Sequence, residues 1–421
     1  MKRTLCLAAL LALAAATGLA EWTAGRGALQ LEAGATGVYD SNLSASADGF
    51  SDYYLSLEPV LRYRDNDARF KTDASFGARF KRYLDHPSSD SDDADLHFNW
   101  SMARDDGHTT GATLAAGYVE NTEPVLDVNS LVRSRTFFAN TSGEVLLGGR
   151  NLLSAGYSYR DSNRNIGSDQ TFYQGRVGYN FVGFTDGTVL GLAYVHQRYK
   201  TGDSSFGLAA LDQEADSVAA SVAHPIYTGF TGTLTAGYRW LDRGAQEAAL
   251  GLFDRSGAFY SVGFEGSFLP RQNFPKTTGT FRVAYEQAET PGLNERSNER
   301  LVGRVNVTWA ARERTLLTFF ATRAQDLTIA DATVVTQGGG LEVAQRIGEF
   351  IHTGLILRYT DADFVNLGRT DQRYEAEANG AYQINRAWSS RLGYRFLHSV
   401  SDATIANFDR HIVSLSLAYV F

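Results

Sequence analysis

The chain is nearly without cysteine, proline and methionine: Cys 1, Pro 7 and Met 2 in 421 residues. The one cysteine, Cys6, lies inside an amino-terminal apolar run, so no disulfide, thiol nucleophile or thiolate metal site is expected after it. No proline-rich hinge, linker or shift of composition divides the chain, although a chain of this length would ordinarily split into domains. One large closed sheet explains that continuity better than two globules.

Positive charge is also scarce. The formal net charge is −8 and becomes more negative without Lys2 and Arg3, which argues against a general nucleic-acid binder. Catalytic signatures are missing as well. There is no HExxH and no GxSxG, and the histidines (His86, His97, His108, His196, His224, His352, His398, His411) are scattered. No enzyme, cofactor or metal site is expected on that basis.

Only one long apolar run exists. Leu5 to Ala16 follows Met1-Lys2-Arg3 and leads into Gly18-Leu19-Ala20, small residues where a signal peptidase needs them. Residues 1–20 read as a secretory signal peptide cut after Ala20, leaving 21–421; the run is too short to span a bilayer. On this reading strands begin within about ten residues of the mature terminus, too few for the folded plug of a gated siderophore receptor.

What is abundant is glycine and aromatic residues: Gly 41, Tyr 21 and Phe 25. Without helical periodicity this is a β-rich composition. The last stretch, His411 to Phe421, has Val413, Leu415, Leu417, Tyr419 and Phe421 at strict period two. A terminal aromatic on an alternating strand, here Tyr419 and Phe421, resembles the sorting signal read by the outer-membrane barrel assembly machinery.

The same dyad recurs upstream. Tyr53, Leu55, Leu57, Leu61 and Tyr63 alternate with Tyr54, Ser56, Glu58 and Arg62. After the turn Arg64-Asp65-Asn66-Asp67, the apolar series Phe70, Phe76 and Phe80 alternates with Arg69, Lys71, Asp73, Arg79 and Lys81. Four basic residues against a dry core would cost several kcal/mol each; in a wet lumen they cost little. Leu153, Tyr157 and Tyr159, Tyr173 and Val177, Val305 and Val307, Leu355 and Leu357, and Leu392 and Tyr394 continue the pattern.

Short connections (Arg104–Gly107, Gly148–Asn151, Ala311–Thr315, Arg346–Glu349, Ile384–Ala387) alternate with long ones (Asp85–Asp95, Glu120–Leu131, Asp161–Asp169, Thr201–Glu214, Arg243–Ser256, Thr290–Glu299, Asp361–Asp371, Ser399–Asp409). The expected fold is therefore all-β: a single large antiparallel transmembrane β-barrel of about 18–20 strands, with short periplasmic turns and long extracellular loops. Closure is obligatory in lipid, because hydrocarbon offers no partner to a free backbone group.

The segment Gly34-Ala35-Thr36-Gly37-Val38-Tyr39-Asp40-Ser41-Asn42-Leu43, followed by Leu55-Ser56-Leu57-Glu58-Pro59, resembles an outer-membrane β-barrel porin family associated with exopolysaccharide and capsule loci. The motif covers only about Gly34 to Tyr63; the architecture covers the mature chain. The resemblance implies an outer-membrane barrel giving final passage to a secreted polysaccharide, with periplasmic export components as partners. Composition and spacing do not themselves indicate the polysaccharide.

Candidate lumen-lining residues are Arg62, Arg69, Lys71, Arg79, Lys81, Arg160, Arg176, Arg304, Arg358, Arg391, Arg395, Glu58, Asp73, Glu265, Glu375 and Glu377, with Arg239, Arg282, Glu144, Glu286 and Glu342 in the same phase. They are expected either to select polar or anionic solutes or merely to brace the wall in cross-strand pairs. The acidic run Asp85, Asp90, Asp92, Asp93 and Asp95 reads as a solvated loop lacking calcium-site spacing, with bridging by divalent cations to lipopolysaccharide phosphates as the alternative. A porin-like channel is the leading expectation. A loop-filled docking barrel and an outer-membrane barrel hydrolase are the alternatives.

Overall fold

The computed structural model of the chain describes residues 22–420 except 25, 105–108, 126–129, 184–186, 203–209, 211, 228, 244–254, 269–275, 288–298, 328–332 and 365–367. The expected signal peptide, Phe421, His108 and part of several connections lie outside the described residues.

A three-residue strand, β1 (Trp22–Ala24), precedes the long ones: β2 (Gly27–Asp40), β3 (Asp52–Asn66), β4 (Phe70–Tyr83), β5 (Ser91–Met102), β6 (Thr110–Val125), β7 (Ser130–Leu147), β8 (Asn151–Arg164), β9 (Gln170–Val182), β10 (Val189–Thr201), β11 (Asp212–Tyr227), β12 (Phe230–Arg243), β13 (Arg255–Phe268), β14 (Thr277–Gln287), β15 (Glu299–Arg312), β16 (Thr315–Leu327), β17 (Thr333–Ile347), β18 (Ile351–Phe364), β19 (Arg369–Gln383), β20 (Trp388–Ser401) and β21 (Phe408–Val420). Each long strand pairs antiparallel with its sequence neighbours. The ring closes where β2 meets β21, from Glu32 opposite Val420 to Asp40 opposite Ile412. β1 pairs with Gly27 to Leu29 and so continues the line of β21 along the same edge of β2. From β2 to β21 this is a closed 20-strand barrel.

The two faces are distinguishable. Strand residues that are buried (Asp40, Asp52, Lys81, Asp93, Gln213, Phe364, Asp371, Leu397, Arg410) fall on one alternate set of positions, as the registers show. Side chains converge only on the concave face, so this set lines the lumen. The other set carries the exposed apolar residues Leu55, Leu61, Phe76, Leu96, Leu192, Leu234, Leu357 and Leu415.

Aromatic residues band that outer face twice. Towards the end bearing the chain termini lie Phe70–Trp100, the stacked Phe230–Phe264 and Phe281, and Trp388–Tyr419. Towards the opposite end lie Tyr39–Tyr53, Phe137–Tyr159, Tyr238–Trp240, Tyr260–Tyr285 and Tyr359–Tyr374. Two aromatic girdles around an apolar belt are how a barrel sits in a bilayer. No described helix is long and apolar enough to cross a membrane; the strands cross. The terminus-bearing side is called the inner end below, and the opposite side the outer end.

Several strands run further outward than their alternation implies. The expected loop Asp85–Asp95 ends at Asp90, and Ser91 opens β5, which places Asp93 and Asp95 on the lumen wall. Expected loops at Glu120–Leu131, Asp161–Asp169, Asp361–Asp371 and Ser399–Asp409 shrink likewise to 126–129, 165–169, 365–368 and 402–407. The physical reason is visible in the outward residues there: Glu120, Asp161, Asp361, Asp363 and Asp409 are charged. Above the hydrocarbon the outer face meets water, so the dyad signal disappears while the ladder continues. The inner turns are short where the backbone permits it. Gly148 (φ 60) and Gly149 (φ 77) make the β7–β8 turn in left-handed conformations that side-chain-bearing residues seldom adopt.

Candidate functional site

The lumen wall is the candidate site, and its charges fall into two groups. The first is paired. Across β2 to β6, Arg62 meets Glu32 at 3.1 Å and Arg64 meets Asp73 at 3.0 Å. Arg79 lies between Glu58 (3.2 Å) and Glu123 (3.8 Å). Lys81 is buried and donates to the Thr122 carbonyl at 2.8 Å. Beside it, Asp93 accepts from the hydroxyls of Ser91 and Thr122. On β18 to β20, Glu375 sits between Arg358 (3.1 Å) and Arg395 (2.6 Å).

The second group has no ion pair among the described residues. It comprises Lys71, Arg160, Arg176, Arg282, Arg304 and Arg391 among the basic residues, and Glu265, Glu342 and Glu377 among the acids. All nine occupy lumen-facing positions by register. Arg282 and Arg304 stand directly opposite each other on β14 and β15. Like charges facing across a sheet are destabilising; on its other side Arg282 stands opposite Glu265 of β13, and Glu377 stands opposite Arg395. Arg176 borders a recess of about 660 Å³ shared with Ser154, Asn180 and Glu144.

Arg69 differs from its expected place. It lies in the turn before β4, with its guanidinium 3.7 Å from Met102 Sδ and 5.2 Å above the Phe70 ring, at the inner rim. Outside the strand no alternation dictates its direction. In the same turn Asp67 accepts the Arg69 amide, which holds its carboxyl below the usual carboxylate range. Glu286 belongs to β14, and its side chain lies outside the described residues.

The outer mouth was not legible beforehand. Here the lumen is packed rather than wet. Residues Asn42, Leu43, Ala45 and Ser46 of the β2–β3 connection are buried, and Ala47 donates to Ile405 of the β20–β21 connection. Ala45 adopts φ 53 and packs with Leu397 and Phe408. A left-handed alanine is costly and persists only where packing enforces it. Three buried aspartates anchor the mouth. Asp40 holds Arg410 through both oxygens (2.6 and 3.0 Å) and accepts the Asn42 amide. Asp52 accepts the amides of Tyr53, Asp85 and His86 and the His86 ring. Asp371 binds Arg369 and Arg373.

The outer face carries further charge clusters, Glu120 with Arg133 and Arg135 among them. On β10 and β11, Arg198 and Lys200 reach Asp212, while His196 and Tyr194 engage Asp216. His196, Glu214 and Asp216 bring ligand-type atoms within 4.8 Å of one another, but Asp216 is already held by its neighbours.

Comparison with known proteins agrees with this geometry. The family model described as "Putative beta-barrel porin 2" matches residues 274–421, the carboxy-terminal third of the chain. No curated protein sequence matches. Among solved structures, the ferric-catecholate import receptor Fiu from E. coli K12 in its open form is similar at 9% identity and a TM-score of 0.52, covering 93% of this chain and 81% of that one. The unliganded ferric citrate transporter FecA is similar at 10% identity and a TM-score of 0.52, over 93% and 78% of the two chains. At such identities the shared property is the fold. Closed ring, double aromatic girdle, polar lumen and family-model match together make this chain a porin-like β-barrel of the outer membrane.

Proposed function

We propose that the barrel passes polar, predominantly anionic solute through its lumen, with a secreted polysaccharide as the preferred cargo. The carrying observation is the excess of basic residues among the described lumen charges that make no ion pair: Lys71, Lys81, Arg160, Arg176, Arg282, Arg304 and Arg391 against Asp93, Glu265, Glu342 and Glu377. Paired charges stiffen the wall; unpaired ones set the sign of the field that a solute meets. The polysaccharide comes from the resemblance of the Tyr39-Asp40-Ser41-Asn42 segment, and periplasmic export components would be its partners on the inner side. Lipopolysaccharide would surround the outer girdle, and the barrel assembly machinery would insert the chain after removal of residues 1–20.

The packed outer mouth favours a second reading, a barrel that is silent until its outer connections move. Single-channel recording of the mature chain refolded in a planar bilayer separates the two. Steady, anion-selective conductance supports the open pore. Silence from a barrel shown folded by heat-modifiable gel mobility overturns the open pore and leaves the closed one.

A further inference from the structure

Three lumen-facing phenylalanines share an arrangement that neither charge nor family likeness explains. Phe138 stands opposite Gly117, Phe259 opposite Gly237, and Phe320 opposite Gly340, each pair in register on adjacent strands. In every case the ring reaches across onto the glycine. A Cβ placed on Gly117 or Gly237 would lie 2.5 Å from the ring's Cζ, and one on Gly340 would lie 2.6 Å from it. Each ring therefore lies along the wall over two strands and does not project into the lumen. Only glycine leaves the space for it. All three pairs sit near the middle of their strands.

Beside each ring is a cationic or imidazole group. Arg239 lies 5.6 Å from the Phe259 centroid and Arg358 lies 5.7 Å from that of Phe320. The His97 ring is 5.8 Å from Phe138, and Arg160 is opposite Phe138 in register. An aromatic laid on a strand glycine stabilises a sheet by itself. That does not require a guanidinium beside the ring, yet Arg239 and Arg358 stand beside Phe259 and Phe320 on two different stretches of the wall.

We propose that these are stacking platforms for anionic sugar rings. The flat π surface takes the apolar C–H face of a pyranose. The neighbouring guanidinium or imidazole takes a carboxylate on the same sugar through charge-assisted hydrogen bonds, Arg358 with the N–H groups that its pair with Glu375 leaves over. Spacing the platforms around the lumen gives a passing chain several weak holds and no tight one, as conduction requires. The inference rests on the polar-solute reading above and adds the chemical class recognised and the place of contact.

The test uses the full mature chain folded in detergent and a short oligogalacturonate, with a neutral dextran oligomer of equal length as control. Calorimetry measures binding without requiring conductance. The wild type is expected to bind the oligogalacturonate at least tenfold more tightly than dextran. Phe138→Leu, Phe259→Leu and Phe320→Leu keep an apolar cover on the glycine but remove the π face. Each is expected to weaken binding on the order of threefold, while Trp at the same positions retains it. Heat-modifiable mobility verifies folding of every variant. A folded triple Leu variant that binds like wild type, Trp variants that lose binding as Leu does, or equal affinity for both oligomers would overturn the proposal. So would absence of oligogalacturonate binding by a barrel that conducts, a result that leaves the pore reading standing. Binding by a barrel that stays silent supports the platforms and removes only the open pore.

Discussion

Replacing Asp40 by Ala is expected to loosen the barrel at the line where it closes. The carboxylate is 1% exposed and holds a guanidinium, Arg410, that is itself 9% exposed. Removing it leaves a charge in the mouth with no counter-charge on its own ladder, and it also orphans the Asn42 amide. Breaking a buried ion pair from one side costs about 3–5 kcal/mol. The lower figure applies here, because the mouth borders water. About 3 kcal/mol is a loss of roughly two orders of magnitude in the folding equilibrium. Asp40→Asn keeps an acceptor for Asn42 and should fall between Ala and wild type. The double variant Asp40→Leu, Arg410→Met removes both charges and should lie within about 1 kcal/mol of wild type, since an apolar pair can replace a buried ionic one. Urea unfolding in lipid vesicles, followed by tryptophan emission and gel mobility, reads these differences. An Asp40→Ala variant within about 0.5 kcal/mol of wild type, the range of an ordinary surface change, would refute the assignment of Asp40 as a structural anchor.

Asp371→Asn should destabilise by a similar amount, about 3 kcal/mol, because Arg369 and Arg373 share that carboxylate; the same urea titration checks it. Exchanging Arg176, Arg282 and Arg304 for Gln should move the reversal potential in a salt gradient towards cation selectivity with folding unaffected, and an unchanged potential would remove these residues from the conduction path. Gly149→Val in the β7–β8 turn, at φ 77, should cost about 1–2 kcal/mol and slow the appearance of the folded gel band. Lowering pH should protonate Asp67 only below the ordinary carboxylate range. Its native pKa is depressed, so its contribution is present above the unfolded value and is lost as pH falls through the folded one. Hydrogen exchange at the Arg69 amide, which Asp67 holds at 3.0 Å, should speed up in that acid window.

Much of this architecture could be read from alternation, because lipid enforces it. Leu55 and Leu61 face hydrocarbon, so Glu58 and Arg62 have nowhere to go but inward. The same logic fails where lipid is absent. In the sequence Asp93 reads as part of a solvated acidic loop because its neighbours Asp92 and Ala94 give no apolar phase, yet the ladder holds it against Thr122. Which inward charges are neutralised depends on register between strands. Glu375 lies 17 residues from Arg358 and 20 from Arg395, and only pairing shows that both reach it. The facing of Phe320 and Gly340, or of Arg282 and Arg304, is likewise invisible until the strands are aligned. The mouth is set by contacts such as Asp40 with Arg410, at opposite ends of the chain. No local pattern records them.

The meeting of β2 with β21 has a consequence for how such a chain is made. Thr36 and Ser416, hydrogen-bonded at 3.0 Å, are 380 residues apart. The edge of β2 is synthesised well before its partner β21. For the whole interval that edge is an unpaired row of amides and carbonyls, a template for any other extended chain. Contacts this distant in sequence also form slowly. A chaperone or insertase that shelters β2 until β21 arrives would protect the cell from cross-pairing between nascent copies, and β1, folded back on the inner part of that edge, already covers the stretch that β21 does not reach.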